Sequence, residues 1–263
     1  MKSHTDNPER KDLLIGKIIA GILCVPLLIC FIVNLAVGHT LNWFFIVLTS
    51  LMVAASLTVV PLAVKKKKGL FTIFSFTVSL LILLFTCSVF TRGKWFLTAG
   101  TSVVFGLSVL FTPYIAFKLP LPDFWKKNKG LFTFIIDTFL FAVMMFCIGV
   151  HLDNAEPYWE IMPPIALFNV GAVWIVFLVC RYLKASKIIR TGIASLITGG
   201  YLFTVNGYIN MILGQDFAFP ELNLSVWNTD AVNGNISWLI LLVSLLIGFS
   251  CIIIGLVRRI KNK

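Results

Sequence analysis

Long apolar runs alternate with short polar, mostly lysine-rich segments along the whole chain. A helix needs about 20 apolar residues to cross a hydrocarbon core roughly 30 Å thick. Eight runs reach that length: Leu13 to Val37, Trp43 to Val64, Gly69 to Phe90, Trp95 to Phe117, Leu131 to Val150, Ile161 to Val179, Thr191 to Leu213, and Ile236 to Val257. The pattern predicts an all-α, polytopic membrane protein with about eight transmembrane helices. A tail over 1–12 would precede a transmembrane helical domain over 13–263. The first run is 25 residues long, whereas the apolar core of a secretory signal has about 7 to 15, so it reads as a retained helix.

The runs also repeat. NWFFIVLTSLMVAASLTVVP (42 to 61) matches KWFLTAGTSVVFGLSVLFTP (94 to 113) at an offset of 52 residues. The match aligns Trp43 with Trp95, Ser56 with Ser108, and Pro61 with Pro113. KGLFT follows each copy, at Lys68 to Thr72 and again at Lys129 to Thr133. This self-similarity suggests four helical hairpins of parallel topology, at about 11–64, 65–124, 125–183 and 184–263. Each would begin at a basic loop and turn back near a tryptophan: Trp43, Trp95, Trp159 or Trp238. Indole favours the headgroup level because its ring is apolar and its N–H stays wet. The inverted repeats of many secondary transporters are not expected from such units. Pro61 and Pro113 would mark helix exits, Pro26 would bend the first helix, and Pro163-Pro164 would open the sixth.

Composition agrees: 59% of residues are hydrophobic and 13% charged, against about 25% charged in a soluble domain. The charge is unevenly placed. Of 22 Lys and Arg, all but Arg92 and Lys94 fall in the tails and alternate loops. Those loops hold Lys65 to Lys68, Lys118, Lys126, Lys127, Lys129, Arg181, Lys184, Lys187 and Arg190. Loops that stay in the cytoplasm carry such an excess, which places both termini there in a plasma membrane. The net charge of +11 is thus assigned to topology and to anionic headgroups at the basic inner loops, not to nucleic acid.

Asp137 is the one acid inside an expected span, about 10 Å along its helix. A carboxylate there is costly unless paired or protonated. Lys17 and Arg190, near the inner ends of the first and seventh helices, are its candidate partners. Asn206 and Asn210 share a helix face four residues apart, beside Gly199, Gly200 and Gly207, where another helix could approach closely. With Asp137 they form a possible intramembrane polar site; an interhelical contact is the plainer reading of each. Asn169 belongs to the same polar group in the sixth and seventh helices. His39 and His151 at outer helix ends read as interfacial, and Asn223-Leu-Ser225 and Asn235-Ile-Ser237 as short Asn-x-Ser patterns.

No catalytic, cofactor-binding or metal-binding set is expected. The six cysteines lie in apolar spans without a CxxC spacing. HExxH, paired intramembrane aspartates, a Walker lysine and a Rossmann glycine motif are all missing from the sequence. An enzyme is the class least supported.

NLAVGHTLNWFFIVLTSLMVAASLTVVPLAVKKKKGLF, followed by WFLTAGTSVVFGLSVLFTPYI, resembles a group of multi-pass membrane proteins of Gram-positive bacteria. In that group such hairpins occur alone or behind a helix-turn-helix or zinc-ribbon domain. The resemblance covers roughly residues 12 to 140 and implies a topology, not an activity. MKSHTDNPERKD is too short to carry over a DNA-binding role. The expectation is a non-enzymatic bacterial inner-membrane sensor of the envelope or scaffold, with a membrane-protein partner or a second copy. The alternatives are a small permease and an accessory subunit of an export system.

Overall fold

A computed structural model describes residues 8–38, 41–152, 156–227 and 232–261, without the side chains of 8–10 and 42. Lys2, His39, Asp153, Asp230 and Lys263 lie outside the described residues, as does the side chain of Arg10. Ten α-helices follow in order, and no strand occurs among the described residues: α1 Pro8–Val33, α2 Asn42–Thr58, α3 Val60–Ala63, α4 Lys68–Phe90, α5 Phe96–Lys118, α6 Asp123–Lys127, α7 Lys129–His151, α8 Glu156–Tyr182, α9 Lys187–Ile212 and α10 Val232–Lys261. Among the described residues, seven helices are long and apolar enough to cross a membrane.

The expected second span is divided. Pro61 has no N–H to donate, and α2 stops after 17 residues, with α3 following for four. Val59 between them keeps right-handed helical angles, φ −85° and ψ −44°, and donates to Ala55. Pro113, at the matching place, lies inside α5, which runs on to Lys118. The chain also leaves the helix sooner after Pro61, because Val64, three residues on, is extended and ends α3.

Helix limits depart from the apolar runs at three further places. First, α1 begins at Pro8, so part of the expected tail is helical, and Asp12 pairs with Lys68 at 3.6 Å. Its far end loosens into a π turn, Asn34–Gly38. There the Asn34 side chain donates to the Cys30 carbonyl at 2.8 Å, the acceptor an ordinary helical N–H of Asn34 would use. Lastly, α8 starts at Glu156, which puts Pro163-Pro164 inside it; Pro157 sits in its first turn, where a missing N–H costs nothing.

The chain forms two compact units, 1–153 and 154–263. The boundary falls within the expected hairpin 125–183. In the first unit the most extensive packing joins α2 to α4 and α5 to α7, across the lysine-rich loops. In the second, α9 packs most closely on α10, with α8 against α9. Small residues make the α9–α10 approach possible. A β-carbon at Gly192 would lie 2.7 Å from the Gly248 carbonyl oxygen, and one at Gly199 would collide with Ser244. Ser195 adds a hydrogen bond to the Ser244 carbonyl at 3.2 Å.

Candidate intramembrane polar site

Asp137 faces α5. Its carboxylate accepts a hydrogen bond from Ser108 at 2.8 Å, and the same hydroxyl lies 2.9 Å from the Phe105 carbonyl. Eight residues separate Asp137 from the start of α7, about 12 Å along the axis, where it is half-buried. Ser56, the residue matching Ser108, bonds only its own helix, donating to Val53 at 2.7 Å. The residue matching Asp137 is Phe76, which has no acceptor to offer. One change within the repeated pattern thus turns a serine that bonds its own helix into a polar link between two helices.

The cations expected beside Asp137 are engaged elsewhere or face outward. The Arg190 guanidinium donates to the Cys180 carbonyl at 2.8 Å and the Ala185 carbonyl at 3.1 Å, closing the turn between α8 and α9. Lys17 is exposed on α1. Arg190 is therefore a loop fastener: its planar guanidinium satisfies at once a last-turn carbonyl of α8, which lacks a helical partner, and a carbonyl of the loop that follows. Asn206 is exposed and Asn210 half-buried, and neither side chain hydrogen-bonds another helix among the described residues. Asn169 does make a link: Tyr201 of α9 donates its hydroxyl to the Asn169 side-chain oxygen on α8. Phe168 stacks on Tyr208 beside it, ring centres 4.1 Å apart. Gly199 stands against Ser244 of another helix, Gly207 against the loop residues Phe217 and Ala218, and Gly200 faces open space.

The end of the α9–α10 pair where loop 214–227 joins the two helices holds a feature that the sequence pattern hid. Asn235 has 0% exposure and clamps the preceding loop with three hydrogen bonds. It accepts from the Asn223 N–H at 2.8 Å and donates to the Asn223 and Val226 carbonyls at 2.8 and 2.9 Å. Trp238 donates to the Pro220 carbonyl at 2.8 Å, and Phe203, Phe219 and Trp238 pack ring on ring. Glycines at 207 and 234 let the loop backbone lie against the helices, since β-carbons there would strike Ala218 and Glu221 carbonyls. Burial excludes Asn235 as a glycan acceptor, because both ends of its amide are used inside the fold.

At the basic loops the side chains are accessible. Lys65 to Lys68 are all exposed, and Lys67 sits in the left-handed region at φ +51°. In the next basic loop α6 carries Phe124, 63% exposed, while Trp125 packs on Phe132. Lys129 lies over the Phe117 ring at 4.7 Å. An apolar ring among lysines suits the headgroup region of a bilayer.

Among the described residues no three His, Cys, Asp or Glu side chains converge as a metal site requires. All six cysteines are free. The class that the helices define is a multi-pass helical membrane protein. Comparison with known proteins is silent beyond that: no family model, no curated protein and no solved structure matches the chain.

Proposed function

We propose that this protein is a non-enzymatic scaffold or envelope sensor of a bacterial inner membrane, docking a partner on its basic cytoplasmic face. The observation that carries the reading is that face: Lys65 to Lys68 in one loop, with Lys126 and exposed Phe124 in the next. Its lysines serve topology as well; they are exposed, with Lys68 paired to Asp12 at 3.6 Å and Lys126 to Asp123 at 2.8 Å, and the face as a whole carries a positive excess that suits an acidic partner surface. In the same reading α2 and α3 together complete an eighth crossing, 22 residues or about 33 Å from Asn42 to Ala63. The hairpins then all start and end on the cytoplasmic side.

Asp137 is the feature that favours a permease, since an acid in a span is a default site for a proton or cation. Its hydrogen bond to Ser108 supports the quieter role of joining α5 to α7. Asp137→Asn separates the two, because the amide keeps the link and loses the charge. Reconstituted vesicles with the native protein and with Asp137→Asn are to be assayed for proton-linked flux. The scaffold reading expects no flux from either, and a stoichiometric membrane partner that co-purifies with the native chain and is lost when Lys65 to Lys68 are replaced by Gln. Flux that Asp137→Asn abolishes would overturn it in favour of the permease.

A further inference from the structure

The turn after α4 reads Thr91-Arg92-Gly93, and its backbone places the residues in an order that stability alone does not explain. Gly93 donates to the Ser88 carbonyl at 3.0 Å and Arg92 to the Val89 carbonyl at 3.1 Å, the paired bonds of a Schellman motif. The left-handed position of that motif normally takes glycine, which has no β-carbon to strain. Here it is Arg92 that holds φ +52°, with the glycine one place later. Strain of this kind is a reason to ask what the side chain does.

The turn is rigid. Ser88 donates to the Gly93 carbonyl at 2.6 Å, Thr91 bonds the Cys87 carbonyl at 2.9 Å, and Trp95 donates to the Thr91 hydroxyl at 3.1 Å. Arg92 is held at the rim of an open cleft of about 410 Å³, whose other walls are Phe45 of α2 and Phe85, Thr86, Val89 and Phe90 of α4. That volume is within the usual range for ligand pockets. The guanidinium has no ion pair or side-chain hydrogen bond among the described residues. Nor could a neighbour on these helices supply one, because no acid occurs between Asp12 and Asp123. Arg92 and Lys94 are the only bases in the turn, at the end of α4 remote from Lys65 to Lys68.

From this arrangement we infer that the cleft binds an anionic membrane lipid, its headgroup phosphate on Arg92 and an acyl chain along Phe45 and Phe85. A fixed cation without an internal counter-ion selects the negative head, since a guanidinium forks onto phosphate oxygens. The apolar and aromatic walls of the open cleft suit a hydrocarbon chain and give a soluble anion nothing to fill. The strained backbone at Arg92 is retained because glycine there would relax the turn and remove the cation. This ligand is independent of any partner at the basic loops, and the two can fail separately.

The test uses the full chain in bilayer discs of equal phosphatidylglycerol and phosphatidylcholine, with a photoreactive phenylalanine analogue in place of Phe85. One basic residue near a headgroup gives about a five-fold preference for the anionic lipid among the cross-linked products. Arg92→Gly is expected to bring that ratio to one while the melting temperature stays equal or rises. Replacing Lys65 to Lys68 by Gln leaves the preference intact, and added glycerol phosphate does not compete. Equal labelling of both lipids by the native chain overturns the proposal, as does a preference that survives Arg92→Gly. A preference lost with the lysine replacements, or competed away by glycerol phosphate, overturns it too.

Discussion

A single amide holds the loop over the α9–α10 pair. Asn235 supplies one acceptor to the Asn223 N–H and two donors to the Asn223 and Val226 carbonyls of loop 214–227, and the Asn223 carbonyl also accepts from the Val226 N–H at 3.1 Å. Asn235→Ala removes all three bonds and shortens the side chain inside a fully packed site. Buried groups left unsatisfied cost about 1–3 kcal/mol, and the loss should fall on the loop before the helices. Limited chymotrypsin digestion in detergent is therefore expected to cut near Phe217 or Trp227 several-fold faster in the variant. Unchanged cleavage would mean that the aromatic packing alone holds the loop. Neither this clamp nor the partner of Asp137 was legible in the sequence. Cations invited a search by charge, which suggested Lys17 and Arg190, while the contact is made by one serine among many, chosen by helix packing. Asn235 was hidden for a similar reason, since its partners are backbone groups that carry no residue signature.

At the scale of the helix, hydropathy located the spans and left their interruptions and contact faces open. The apolar run through Pro61 is uniform, so hydropathy alone does not mark the division into α2 and α3 or the end of α3 at the extended Val64. Glycines show the same limit. Gly199, Gly200 and Gly207 all permit close approach, but only a partner's position tells which are used, and Ser244 meets Gly199 while Gly200 meets nothing. The contrast gives a paired prediction. Gly192→Val forces a branched side chain toward the Gly248 carbonyl and should cost about 1–3 kcal/mol, as overpacking does. Gly200→Ala has room and exchanges a poor helix former for the best one, so it should leave the second unit as stable or slightly more so. Unfolding by denaturant in micelles, followed by helix content, checks both. Equal effects at the two positions would contradict the packing of α9 on α10.

For the molecule as a whole, the membrane class was plain from apolar length and charge, since few other structures carry 59% hydrophobic residues in runs of helix length. Which helices pack together was not. Sequence repeats suggested hairpins joined at their outer turns; α9 and α10, within the expected hairpin 184–263, do pack most extensively, whereas in the first unit α2 packs most on α4 and α5 on α7, across the basic loops. Packing is set by side-chain shape along whole helices, and a repeat read as text does not reveal it. The proposed scaffold rests on where those basic loops lie. Single cysteines near the N-terminus, at Lys66, Lys127 and Lys184, and near the C-terminus, in a chain freed of its six native cysteines, can be labelled by a membrane-impermeant maleimide. All five positions are expected to be shielded in intact cells and to react after lysis, while a cysteine at Phe219 reacts from outside. An N-terminal cysteine that reacts from outside while Lys66 stays shielded would contradict the account, because α2 and α3 would then not complete a crossing and the parallel hairpins would not exist.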